Sequence, residues 1–153
     1  MSDRPVPRSY WVRPGSLLAG EYPRRIERYR AAGMTAFLDL TVEGEEPTYA
    51  GSIDGWATHQ RFPIRDFSVP SVDEMTVILD ALDTALEREV VYVHCLGGSG
   101  RTGTVIGCWL VRHGMDCEEA LATIAALRRE TAYGDRPSPE SDEQRDFVRA
   151  WRG

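Results

Sequence analysis

The chain has 153 residues, enough for one domain with a buried core, and its 42% hydrophobic and 27% charged residues are ordinary for a globular protein. A net charge of −6 and a pI of about 5.1 argue against nucleic-acid binding, which calls for a basic stripe. All 18 basic residues are arginine, so a nucleotide loop built around lysine is excluded.

The N-terminal MSDRPVPRSYWVRPG has no apolar signal core. SLLAGEYPRR reads as a short strand and a turn at Pro23, and Arg24 to Ala32 as a short helix stopped by Gly33. AFLDL, Ala36 to Leu40, is a compact strand. TVEGEEPTYAGSIDG has the glycines and acids of a surface loop or a lid. HQRFPI, His59 to Ile64, reads as a strand ending near Pro63. SVDE, Ser71 to Glu74, is a capping box opening an amphipathic helix to about Glu89. VVYV, Val90 to Val93, has the continuous apolar character of a strand covered on both faces. A helix is expected from Thr102 to His113, and a second from DCEE, a cap of box type at Asp116 to Glu119, to about Arg129. SPES, Ser138 to Ser141, places proline at the start of a last helix running to Trp151. Strands alternating with helices predict a single α/β domain with a central, mainly parallel sheet flanked by helices.

Between the strand at Val90 and the helix at Thr102 lies HCLGGSGRT, His94 to Thr102. Gly98, Gly100 and Gly103 fit a dinucleotide fingerprint, but the strand comes late and no acid ends a strand about 20 residues further on. A plain glycine turn leaves the arginine unexplained. A phosphate cradle explains all of it. Leu96, Gly97, Gly98, Ser99 and Gly100 present backbone N–H groups, and glycine permits the close approach. Arg101 offers a planar fork to two phosphate oxygens, and the helix N-terminus faces the same point. Amides, guanidinium and helix all favour Cys95 as thiolate, the nucleophilic form.

HCLGGSGRT matches the H-C-x5-R-[ST] signature of the cysteine-dependent protein phosphatases. With LLAGEYP, FPIRDFSVPS, GRTGTVIGCWLVRHG and SPESDEQ, the chain resembles small bacterial members of the dual-specificity-like branch from about Leu17 to Trp151. The resemblance implies that fold and phosphomonoester hydrolysis, of phosphotyrosine or of mixed phosphoprotein residues. Cys95 would form a phosphocysteine and Arg101 bind the phosphoryl group. Thr102 would hydrogen-bond the Cys95 sulfur, and His94 would order the loop. Asp66, on a turn about thirty residues before the cysteine, would be the general acid, with Asp39, Glu45 and Glu46 as rivals. Gln144 would position water, or else be a solvated helix residue. Arg136 would contact substrate or form a surface salt bridge.

Other families with a C-x5-R loop fit less well. Low-molecular-weight phosphatases and arsenate reductases carry it at the extreme N-terminus with the acid downstream. Inositol phosphatases usually place basic residues inside it, where Leu96 to Gly100 offer none. A phosphoprotein-binding pseudophosphatase would lack the cysteine, arginine or acid. No cofactor or metal is expected, because His59, His94 and His113 lack ligand spacing. A phosphate or sulfate anion should occupy the loop. No membrane span is expected, and the odd count of Cys95, Cys108 and Cys117 points to a reducing, cytoplasmic setting. Cys108 or Cys117 could trap an oxidised Cys95. A monomer is expected.

Overall fold

A computed structural model describes residues 4–132 and 134–153. Its sheet has five strands: β1 (Ser9–Arg13), β2 (Leu17–Gly20), β3 (Ala36–Asp39), β4 (Thr58–Arg61) and β5 (Val91–His94). Their order is β1-β2-β5-β3-β4, with β1 antiparallel to β2 and the other pairs parallel. The expected mainly parallel α/β sheet is therefore present. Among the described residues six helices complete the fold: α1 (Ile26–Ala31), α2 (Ala50–Ile53), α3 (Val72–Leu86), α4 (Gly100–Arg112), α5 (Cys117–Arg128) and α6 (Asp142–Ala150).

Side chains alternate across a strand, so the strands feed two cores. Leu17, Ala19, Ala36, Leu38, Val91 and Val93 face one way, into a core shared with α3, α4, α5 and α6. Leu18, Phe37 and Tyr92 face the other way, against Tyr29 of α1 and Ile53 of α2. Helix α4 runs through the larger core, and every residue from Gly100 to Leu110 is buried. That double coverage explains the continuous apolar run of β5.

The structure revises several readings of the sequence. The core reaches back to Val6 and Tyr10, because β1 adds an edge strand ahead of Leu17. β5 includes His94, which is fully buried. Pro139 precedes α6 instead of opening it; Ser141 caps the helix in a reciprocal box with Gln144. Asp116 caps α5 by accepting from the amides of Glu118 and Glu119, a one-way cap. The segment expected as a lid contains α2 and is fastened to the body. Tyr22 Oη donates to Pro47 O, Arg24 pairs with Glu46 at 2.9 Å, and Tyr49 bonds His94 at 2.6 Å.

The register sets the site. Gly20, His94, Asp39 and Arg61 lie level across four parallel strands at their C-terminal ends. The segment after β5 thus emerges at the carboxyl edge of the sheet, where α/β proteins bind ligands. No described helix is long and apolar enough to cross a membrane.

Candidate active site

The loop from Cys95 to Arg101 is held by its carbonyls. Cys95 O accepts from His94 Nδ1 at 3.1 Å, and Leu96 O from the Tyr22 amide at 3.0 Å. Ser99 O accepts from Ser138 Oγ at 2.6 Å, and Gly100 O from Thr104 Oγ1 at 2.8 Å. In a trans peptide, C=O and the next N–H point in opposite directions. Turning these four carbonyls outward therefore turns the amides of Leu96, Gly97, Gly100 and Arg101 toward the inside of the loop. The Gly98 amide donates to Cys95 Sγ at 3.3 Å. Such a ring of donors is an anion cradle.

Two of its glycines are fixed by geometry. Gly98 has φ of +80°, and a Cβ there would lie 2.6 Å from the carbonyl carbon of Gly20. At Gly100 a Cβ would lie 2.4 Å from Glu140 Oε1 and 2.9 Å from Gln144 Nε2. Glycine lets β2 and α6 close on the loop.

A buried network lies beneath it. His94 is fully buried, and desolvation lowers its pKa to about 4, so the imidazole is neutral at neutral pH. A carbonyl can only accept, so the proton sits on Nδ1, facing Cys95 O. Nε2 then accepts from the Tyr49 hydroxyl, which burial keeps protonated. Asp39 Oδ1 accepts from the amide and hydroxyl of Thr41, and Oδ2 meets His59 at 2.9 Å and Arg61 at 3.3 Å. Burial opposes ionisation of Asp39, but the His59, His94 and Thr41 interactions outweigh it and hold its carboxyl below the usual range.

Arg101 is 2% exposed. Its Nη1 donates to Glu45 Oε1 at 2.9 Å and to Ile64 O at 2.8 Å, and Nη2 donates to Glu45 Oε2 at 2.6 Å. Asp66 Oδ1 stands 3.4 Å from Nη2. A guanidinium has five N–H groups. Three are fixed to the scaffold, leaving the Nε edge with one Nη2 hydrogen for a bidentate anion.

These contacts sort the carboxylates. Asp39 is buried and ionised, and Glu46 is paired with Arg24. Arg101 holds the Glu45 carboxyl below its usual range. None of these three rivals is placed to carry a proton into the loop. Asp66 is exposed, with Oδ1 accepting from the Phe67 amide at 3.0 Å. It lines a cavity of about 530 Å³ together with Cys95, Leu96, Gly97, Ser99 and Gly100. A second carboxyl in that cavity was missed from the sequence. Glu140 has its pKa raised by burial, then by the Asp66 charge. Its only signal was its position inside SPESDEQ.

Other expected residues fall as follows. Thr102 is buried, but its Oγ1 has no hydrogen-bond partner among the described residues, so the anticipated bond to Cys95 is not formed here. Gln144 is fully buried, not solvated. Its Oε1 accepts from the Ser141 amide and its Nε2 donates to Ser68 O at 3.4 Å, tying the Asp66 loop to α6. Arg136 lines the cavity and its carbonyl accepts from Arg128 at 2.8 Å. Arg128, unremarkable in the sequence, is buried and donates to Ser99 Oγ at 2.8 Å. Cys108 belongs to the core, where burial pushes its thiol up. Among the described residues no group of three or more His, Cys, Asp or Glu could hold a metal.

Fold and loop together are those of the cysteine-dependent phosphatase superfamily. The chain belongs to the family described as Swiss Army Knife protein, DSP-PTPase phosphatase domain, matched over residues 6–152. It is 35% identical over 95 residues to the phosphatidylinositol 3,4,5-trisphosphate 3-phosphatase and protein-tyrosine-phosphatase PTEN1 of Arabidopsis thaliana, covering 60% of this chain and 22% of that protein. With the mouse (Mus musculus) protein tyrosine phosphatase domain-containing protein 1 it shares 27% identity over 132 residues, 76% of this chain and 18% of that protein. The chain thus spans about a fifth of the length of these curated relatives. Among solved structures, Tk-PTP in its active form is 28% identical, with a TM-score of 0.76 over 93% of this chain and 94% of that one. P. aeruginosa TpbA in complex with pTyr shares the fold, with 16% identity and a TM-score of 0.76 over 98% of this chain and 88% of that one.

Proposed function

We propose that the chain hydrolyses phosphomonoesters through a phosphocysteine on Cys95. The observation that carries this reading is the outward-turned set of loop carbonyls, which turns four amides inward beside Cys95, while the bonds of Arg101 to Glu45 and Ile64 O leave its Nε edge for an anion. In the first step the sulfur attacks phosphorus, the ester P–O bond breaks, and Asp66 gives its proton to the departing oxygen. In the second step water attacks phosphorus and the P–S bond breaks. A carboxylate takes the water proton, and phosphate leaves with the thiolate restored. Amides and Arg101 neutralise charge on the equatorial oxygens throughout. Thr102 Oγ1, a buried donor without a partner among the described residues, is available to the sulfur as it leaves.

An aryl ester such as phosphotyrosine is the favoured substrate. Phe67 follows Asp66 on the cavity wall, 63% exposed and with φ of +64°. Holding a bulky side chain in that conformation costs about 1–2 kcal/mol, and an exposed ring gains nothing from the core in return. A ring at the rim can stack on the aryl group of a substrate. The absence of cations from Leu96 to Gly100 speaks against inositol phosphates. The free thiols Cys95, Cys108 and Cys117 fit a reducing, cytoplasmic setting. Glu140 supports a second assignment of the acid, because it lines the same cavity and burial raises its pKa.

The test is para-nitrophenyl phosphate hydrolysis with chelator and reductant present, with inorganic phosphate or sulfate as inhibitor. Wild type should turn over and Cys95→Ser should not; equal activity in both ends the mechanism. Asp66→Asn should lose about 100-fold on poor leaving groups. If Glu140→Gln shows that loss and Asp66→Asn does not, the acid is Glu140.

A further inference from the structure

Beside the catalytic cavity a second cleft of about 330 Å³ opens between the N-terminal segment and α1. Arg8, Arg24, Arg25 and Arg28 line it, with Glu21 and Tyr29. Arg8 lines the catalytic cavity as well, so the two share a wall. Backbone bonds join them. The Glu21 amide donates to Arg8 O, and the next amide, of Tyr22, donates to Leu96 O in the phosphate loop.

The cleft holds an excess of positive charge in a chain whose net charge is −6. Arg8 meets Glu21 at 3.4 Å and Arg24 meets Glu46 at 2.9 Å. Arg25 and Arg28 have no carboxylate partner among the described residues. Arg28 stands on α1 and Arg25 at its N-cap, so both add to the positive charge of the cleft. An exposed arginine on a short helix is commonly just solvated. Four of them around a concavity that shares a wall with the catalytic cavity have a ligand-shaped arrangement, because each guanidinium is a fork for a carboxylate.

We infer that the cleft seats aspartate and glutamate side chains flanking the phosphorylated residue of a protein substrate. The inference rests on the phosphomonoesterase reading and names its substrate class, an acidic phosphopeptide. A membrane surface is the weaker occupant. Among the described residues the exposed large apolar ones are Val42, Phe67, Val72 and Val77, none of them in this cleft, and the overall charge repels anionic lipid.

The experiment compares two phosphotyrosine peptides of equal length, one flanked by Asp and Glu, the other by Asn and Gln. Wild type and Arg25→Gln/Arg28→Gln are assayed on both, with para-nitrophenyl phosphate as the standard that does not reach the cleft. Wild type should prefer the acidic peptide about tenfold in kcat/KM, mainly through KM, and the preference should shrink as salt rises from about 0.05 M to about 0.5 M. The double variant should lose the preference and keep small-ester turnover. An Arg28→Glu variant should instead favour a peptide flanked by arginine. Equal rates on the two peptides in wild type, or an undiminished preference in the double variant, overturn the inference. So does capture of wild type, but not the variant, by phosphatidylserine vesicles when the peptides are treated alike. Failure of wild type to hydrolyse the small ester would strike the underlying reading instead.

Discussion

Replacing Gly98 by alanine attacks the loop at its tightest point. The left-handed backbone, with φ of +80°, costs an alanine about 1–2 kcal/mol. The new Cβ would also lie 2.6 Å from Gly20 C and 2.7 Å from the Glu21 nitrogen. Both are backbone atoms at the end of β2, fixed by pairing with β5, so neither yields by a rotamer change. Overpacking of this kind adds about 1–3 kcal/mol. Gly98→Ala should therefore lose about 2–5 kcal/mol in urea unfolding. Relief by moving the loop would pull the Gly98 amide off Cys95 Sγ, and a displacement of about 1 Å should lower kcat/KM about 100-fold. Gly97 is the internal control, since a Cβ there meets nothing within 4 Å. Gly97→Ala should stay within about 0.5 kcal/mol of wild type. If the two variants unfold at the same urea concentration, the close approach of loop and strand is not what selects glycine at position 98.

Three further outcomes follow from the buried groups. Glu45→Gln keeps the shape of the Arg101 partner and removes its charge; stability should fall by about 1–3 kcal/mol, with added phosphate restoring part of it in a thermal melt. No loss of stability would show that Glu45 does not hold Arg101. Arg101→Lys should lose most of kcat/KM, because an ammonium cannot both replace the scaffold bonds and offer a fork; near-normal kinetics would remove the fork from the mechanism. Acid should destabilise the fold early. His94 has a folded pKa of about 4 against an ordinary 6.5, so the unfolded chain binds the extra proton between those values. The stabilisation from neutral His94 is complete above pH 6.5 and is lost as pH falls toward 4, about 3 kcal/mol in all. Asp39, whose folded pKa is depressed, adds a further loss below the ordinary aspartate range. A urea midpoint that stays flat from pH 7 to about 4.5 would contradict the burial of a neutral His94.

Much of the loop was legible because its parts are neighbours in the chain. The strand end, the glycines, Cys95, Arg101 and the helix start occupy consecutive positions, and backbone geometry follows local sequence. The Ser71–Glu74 box was equally local and is present as read. β1 was not legible, since a five-residue edge strand with two aromatic residues, one valine and one arginine has no clear alternation. The carboxylates were harder still. Asp39, Glu45, Asp66 and Glu140 look alike in a sequence, each an acid in a turn or at a strand end. The level ending of β3 beside β5 buries Asp39 against His59 and Arg61. The fastening of the segment before α2 gives Glu45 to Arg101. The turn ahead of α6 brings Glu140 beside Gly100.

The amino-acid sequence by itself determined the glycine loop between Cys95 and Arg101 and the alternation that builds the sheet, because these depend on contacts between near neighbours along the chain. Only the tertiary structure decided which acids face the cavity, which edge of Arg101 stays open and where the arginine cleft lies. Those depend on burial and on distances between segments far apart in sequence, which residue order alone does not encode.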